Sequence, residues 1–345
     1  MKTDAAILVE TGSALEIGRL EIPLLKSGQC LVEIAYSGAC HTQLLEARGR
    51  RGEDPWLPHC LGHEASGVVL EVGPDVTRAK VSDRVALSWI KSSGIEAGGA
   101  VYQWGAKRVN AGAVTTFQRH AVVSENRLTV LPDALKMREA TLLGCALPTG
   151  LGAVMNVGKP SPGESVAIFG TGGVGLCAVM GAVVSRCAPV IAVDMIASKL
   201  DMARRFGASH TVDASQVDAS AAIAEICAGG VDLAIEATGR PVVMATALSV
   251  SRPRGGRAVV IGNAPKGQTV VLDPQQLNLG KSLLGTWGGD SVPDRDYPKF
   301  AALMIDQEID VSPLFSEPYR LEEINQALDD LEDGKIGRPL IDMRA

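Results

Sequence analysis

From Ala5 to about Val130 the chain runs as short apolar stretches cut by turn residues, among them Cys30-Leu31-Val32-Glu33-Ile34-Ala35, Ala65-Ser66-Gly67-Val68-Val69-Leu70-Glu71-Val72 and Arg84-Val85-Ala86-Leu87. Their close spacing predicts a mainly-β barrel or sandwich with few helices. From Asp133 the pattern turns helical, through Leu135-Lys136-Met137-Arg138-Glu139-Ala140-Thr141-Leu142-Leu143. From Ser165 it alternates. Strands are expected over 165–169, 189–194, 210–212, 231–236, 257–261 and 282–286, and helices up to about 184, over 197–206, around 219–228 and after Pro241. Continuous apolar strands alternating with helices predict a parallel sheet covered on both faces, and six such strands fit a doubly wound nucleotide-binding α/β domain. After Gly288-Gly289 come helices over 296–307 and 321–332 and a strand over 338–343. That tail is too short for a domain and is expected to pack back on the first one.

Composition narrows the function classes. Of 345 residues 46% are hydrophobic and 21% charged, enough for a substantial core, and a net charge of −6 argues against a nucleic-acid or anionic-membrane partner. Met1 to Leu8 holds no long apolar run and no apolar stretch reaches membrane-spanning length, so neither a secretory leader nor a span is expected. Seven scattered cysteines do not form a disulfide framework, which suits the cytoplasm.

Gly170-Thr171-Gly172-Gly173-Val174-Gly175 is a G-x-G-x-x-G between an apolar strand and an apolar helix. The first glycine permits the tight turn, the second lets backbone N–H groups reach a pyrophosphate, and the third lets helix and strand pack closely. Asp194 stands 24 residues after Gly170, at the end of the next strand. A carboxylate there suits the ribose hydroxyls of NAD and repels a 2′-phosphate, so the expected cofactor is NAD.

Cys40-His41-Thr42, Gly62-His63-Glu64 and Gly144-Cys145 supply two thiols and an imidazole, the natural ligands of Zn²⁺, with a fourth position left open as in a catalytic site. Their spacing is too long to be a specific zinc pattern, and buried cysteines are ordinarily small hydrophobes, the reading that suits Cys30, Cys60, Cys177, Cys187 and Cys227.

Gly62-His63-Glu64-Ala65-Ser66-Gly67 resembles the G-H-E-x-x-G signature of the zinc-containing medium-chain alcohol dehydrogenases, with Cys40-His41-Thr42 before it and Gly144-Cys145-Ala146-Leu147-Pro148-Thr149-Gly150 after it. The likeness runs from about Ile7 to Ile341. It implies a Rossmann doubly wound sheet (148–286) inserted in a mainly-β, GroES-like catalytic domain (1–147 and 287–345). It further implies one catalytic Zn²⁺ per chain on Cys40, His63 and Cys145, with Glu64 as a nearby acid that approaches the metal during ligand exchange. Thr42 would take the alcohol's proton. His41 and Arg338 would face the NAD pyrophosphate, Lys199 the adenosine ribose beside Asp194, Thr149 and Val174 the nicotinamide, while Trp89 would line the substrate pocket. A small-molecule alcohol or carbonyl substrate and a homodimer or homotetramer follow from the same likeness.

Two departures stand out. Many of these enzymes carry four cysteines binding a structural zinc just after the position of Trp89, whereas here no cysteine occurs between Cys60 and Cys145. Gln43 and Leu45 replace an orienting Asp and a proton-passing His. A zinc-free quinone- or enone-type reductase of the same superfamily and a non-catalytic NAD-binding protein therefore stand as alternatives.

Overall fold

The computed structural model describes residues 1–315 and 317–345. They form two compact units, one of Met1–Cys145, Val292–Gln307 and Val311–Ala345, the other of Ala146–Ser291 and Glu308–Asp310.

In the first unit five strands close a barrel in the order Lys2–Leu8, Glu16–Glu21, Val101–Trp104, Lys107–Asn110, His59–Cys60. A seven-stranded sheet runs Leu128–Val130, Arg84–Ser88, Glu64–Val72, Gln29–Gly38, Leu340–Asp342, Tyr319–Arg320, with His120–Ser124 also paired to Gln29–Gly38. The strand Gln29–Gly38 is buried at nearly every position, as expected of a strand with partners on both edges. The tail joins this unit. Leu321, Ile324, Leu328 and Ile341 share one core with Val32, Ile34 and Leu44. The expected final strand shortens to Leu340–Asp342, which pairs antiparallel with Tyr36–Gly38.

The stretch that follows Trp89 contains no metal-type cluster among the described residues; carboxylates fasten it instead. Glu125 accepts the backbone N–H groups of Ile95 (2.7 Å), Thr77 (2.8 Å) and Arg78 (3.0 Å). Glu96 binds Arg127 (2.6 Å), Asn126 (2.8 Å) and Lys91 (3.0 Å). Further on, Val101–Trp104 and Lys107–Asn110 form the hairpin that completes the barrel.

The helix expected over 135–143 is broken. A single turn, Met137–Ala140, passes into the 3₁₀ turn Thr141–Gly144, and Cys145 leaves helical geometry (φ −156°, ψ −65°). Gly144 explains the break. A Cβ there would lie 2.4 Å from the Leu87 carbonyl oxygen and 2.4 Å from Glu64 Cβ, so the backbone itself is packed against the sheet.

The second unit is a six-stranded parallel sheet in the order His210–Asp213, Val190–Asp194, Val166–Phe169, Leu233–Glu236, Arg257–Val260, Ser282–Gly285. Counted along the chain this is 3-2-1-4-5-6, the doubly wound order whose ligand crevice opens where the order reverses, at the carboxyl ends of the first and fourth strands. The glycine loop begins there. The helices Gly173–Val184, Ala197–Arg205, Ala219–Ile226 and Pro241–Val250 follow the first, second, third and fourth strands. A helix missed by the sequence pattern, Ala146–Gly152, continues as the π-helical turn Ala153–Gly158. Among the described residues no single helix is long and apolar enough to cross a membrane.

Candidate active site

In the first unit the chain brings Cys40, His63 and Cys145 together, with their ligand atoms all within 4.8 Å of one another. Each comes from a different device. Cys40 caps the helix His41–Ala47, His63 follows a glycine held at φ +89° just before the strand Glu64–Val72, and Cys145 ends the 3₁₀ turn. Ser88, at the end of its strand, steadies that turn. Its hydroxyl donates to the Gly144 carbonyl (2.7 Å) and pairs with the Tyr297 hydroxyl (2.7 Å).

The two sulfurs affect each other's protonation. A hydrogen bond from the Cys145 thiol, reinforced by the positive Arg338 and the adjacent His63 ring, holds Cys40 well below the ordinary thiol range against its burial. The same bond, with burial added, pushes Cys145 up. His63 Nε2 is buried and meets no hydrogen-bond partner among the described residues, while Nδ1 faces the Gln43 side-chain amide. Two thiols and an unpartnered imidazole nitrogen are a donor set that fits Zn²⁺ with a fourth position open.

Glu64 is fully buried, and burial pushes its carboxyl up while Arg338 opposes the shift. The Arg338 guanidinium, 3% exposed, lies 2.5 Å from Glu64, an ionic contact without hydrogen-bond alignment. Room for this carboxylate is made by Gly38, whose Cβ would fall 2.0 Å from Glu64 Oε1. Arg338, expected to face a pyrophosphate, is paired here with Glu64. It is turned into the first unit because a buried carboxylate beside two sulfurs requires a cation. Glu64, expected as an acid that approaches the metal, is held by the same pair.

Thr42 places its hydroxyl 3.8 Å from Cys40 Sγ. The Trp89 ring stands edge-on to His63, with centroids 6.4 Å apart, and its carbonyl accepts from Arg127. His41 is the exposed first residue of its helix. Glu46, Asp54 and His59 form a second set with ligand atoms within 4.8 Å. There His59 is already spent, on Asp54 (2.8 Å) and on the Cys60 carbonyl (3.0 Å). Ser88, Tyr297, Gly38 and this second set carry no motif, and the sequence pattern gave no sign of them.

In the second unit Gly170 takes φ +86°, and a Cβ on Gly175 would lie 1.8 Å from the Gly170 carbonyl oxygen, so only glycine lets the helix start against the turn. Gly172 has open space where a Cβ would be, and caps the helix that begins at Gly173 and Val174. Asp194 is tied to this loop. It accepts from the Thr171 N–H (2.7 Å) and hydroxyl (3.0 Å) and from the N–H groups of Met195 (2.8 Å) and Ile196 (3.1 Å). Lys199 lies half-buried on the next helix, and Thr149 half-buried on Ala146–Gly152.

Comparison with known proteins agrees with this geometry. The alcohol dehydrogenase GroES-like domain family matches residues 26–133, and the zinc-binding dehydrogenase family matches residues 173–306. An S-(hydroxymethyl)glutathione dehydrogenase of Synechocystis is 32% identical over 370 aligned positions, which cover 99% of this chain and 100% of the relative. Among solved structures, the benzyl alcohol dehydrogenase of Acinetobacter calcoaceticus superposes with a TM-score of 0.89 at 29% identity, covering 99% of both chains. An alcohol dehydrogenase zinc-binding domain protein of Burkholderia ambifaria gives 0.92 at 30% identity, again over 99% of both.

The Glu64–Arg338 pair generates a prediction. Arg338→Met leaves the buried carboxylate without its cation and should cost about 3–5 kcal/mol of stability, most of it recovered when Glu64→Gln is added. Denaturant unfolding of the two single variants and the double variant checks this; a double variant as unstable as the sum of the singles contradicts it.

Proposed function

Because the chain belongs to the zinc-containing medium-chain alcohol dehydrogenase family, we propose a specific division of labour for its alcohol oxidoreductase activity. Cys40, His63 and Cys145 hold the metal. The observation that carries this is the convergence of two thiols and a buried imidazole nitrogen within 4.8 Å. A zinc ion on these ligands supplies a Lewis acid that makes an alcohol hydroxyl acidic near neutral pH. The chain's own groups do the rest. Thr42, beside Cys40 Sγ, takes the alcohol's proton through its hydroxyl, and a bound nicotinamide would supply the hydride acceptor. Trp89, edge-on to His63, walls the space beside the ligands and excludes water. Glu64 and Arg338 keep the charge around the thiolates balanced. With Leu45 in place of a titratable side chain, the proton leaves Thr42 through water or a ribose hydroxyl.

The cofactor we assign to the second unit is NAD. The glycine loop presents backbone N–H groups at a helix start, which favours a pyrophosphate. Four donors already occupy the Asp194 carboxylate. Its discrimination is therefore chiefly by charge, against a 2′-phosphate, rather than by acceptors held open for ribose. The Ser282–Gly285 strand lies at the sheet edge, with Leu284 within it and Trp287 just after it exposed. An uncovered edge of this kind supports a homodimer, or a tetramer of such dimers, paired across a two-fold. Among the described residues the seven cysteines form no disulfide, which supports a reducing compartment, the cytoplasm.

Two measurements test the assignment. Thr42→Ala should lower turnover by about 10²–10⁴ with zinc content unchanged, while Thr42→Ser stays close to the parent. Normal turnover in a zinc-loaded Thr42→Ala enzyme contradicts the proton role. In steady-state kinetics the parent should favour NAD over NADP in kcat/KM, and Asp194→Gly should shrink that preference. Equal values for the two cofactors in the parent contradict it.

A further inference from the structure

Gln43 is only 2% exposed and stands between two of the residues assigned to the metal. Its Oε1 accepts the Cys40 backbone N–H (3.1 Å), and its Nε2 faces His63 Nδ1. A backbone N–H only donates, so the Cys40 contact fixes which way round the amide sits. The amide NH₂ also only donates, so Nδ1 must be the acceptor. In the neutral ring the proton is then on Nε2, the atom left without a partner beside the two sulfurs.

This arrangement conflicts with metal binding. A metal takes the lone pair of Nε2, and a neutral imidazole must then carry its proton on Nδ1. Nδ1–H would meet the amide NH₂, donor against donor. Relief comes from a half-turn of the Gln43 amide, which offers Oε1 to His63 and gives up the hydrogen bond to Cys40. A cavity of about 420 Å³ bordered by Gln43, Glu46, His59 and His63 gives the amide space to turn.

We propose that metal occupancy of this centre is coupled to a turn of the Gln43 amide and to loss of its bond to the Cys40 N–H. Gln43 is thereby a positioning residue that opposes metal retention, and the site releases its ion more readily than one with a carboxylate at this position. The inference rests on the assignment of Cys40, His63 and Cys145 as ligands.

Zinc affinity, measured by chelator competition on the parent, Gln43→Glu and Gln43→Met, tests it together with ¹⁵N spectra of the His63 ring in the metal-free and zinc-loaded proteins. A glutamate accepts from both Cys40 N–H and Nδ1–H without turning, so Gln43→Glu should bind zinc about 10–100-fold more tightly, the usual worth of a well-placed partner. Gln43→Met should bind zinc at least as tightly as the parent. The parent's His63 should carry its proton on Nε2 without metal and on Nδ1 with zinc. The proposal is overturned by a Gln43→Glu protein that binds no more tightly, by a Gln43→Met protein that binds about 10–100-fold more weakly as an ordinary supporting partner would, or by a metal-free parent already protonated on Nδ1. A parent that binds no zinc overturns the ligand assignment, and the proposal with it.

Discussion

A carboxylate with no solvent contact must be faced by a cation, and at the centre of the first unit Glu64 is faced by Arg338. Much of the local architecture serves that pair. The C-terminal segment returns to the first sheet to deliver Arg338, and Leu340–Asp342 pairs with Gln29–Gly38 immediately afterwards. Gly38 and Gly144 carry no side chain because Glu64 occupies that space, and the closeness of Gly144 breaks the helix that would otherwise run through Cys145. The guanidinium then also acts on Cys40 and Cys145, lowering the proton affinity of sulfurs that burial alone would raise. The low proton affinity of Cys40, set first by the Cys145 thiol, is thus helped by the cation that neutralises one buried acid.

How far the sequence reveals this depends on whether a feature is local. The parallel sheet is legible because its central strands, such as Val166–Phe169 and Val190–Asp194, are short apolar runs each followed by a helix within a few residues. The glycine loop is legible because backbone conformation restricts residue type, as at Gly170 and Gly175. Cys40, His63 and Cys145 are visible as chemistry, and resemblance groups them. What stays hidden is long-range. Ser88 and Tyr297 lie far apart along the chain yet share a hydrogen bond, and neither sits in a motif. The pairing of Arg338 with Glu64 is hidden because nothing nearby in sequence joins the two residues. The broken helix at 137–144 has the composition of a continuous one, and only the space taken by a distant side chain interrupts it.

Two losses relative to the family signature have different physical outcomes. Where thiols for a structural metal are missing, Glu125 and Glu96 gather backbone and side-chain donors from the same stretch, so carboxylates order what a cation would. Where a carboxylate behind His63 is missing, Gln43 brings both a donor and an acceptor, and its one acceptor is already engaged by Cys40. The first loss is compensated by neighbouring residues; the second leaves a contact whose donors and acceptors suit the metal-free ring.

The central claim is that two thiolates and one imidazole, from Cys40, Cys145 and His63, hold a single metal ion. Cobalt(II) titration of the metal-free protein tests it most directly, because sulfur-to-metal charge-transfer absorption and the strength of the visible bands report thiolate ligation and coordination geometry together. The account predicts charge-transfer and tetrahedral visible bands that saturate at one ion per chain and collapse in Cys145→Ser. Cobalt bound without thiolate bands, or a spectrum unchanged in Cys145→Ser, would contradict it.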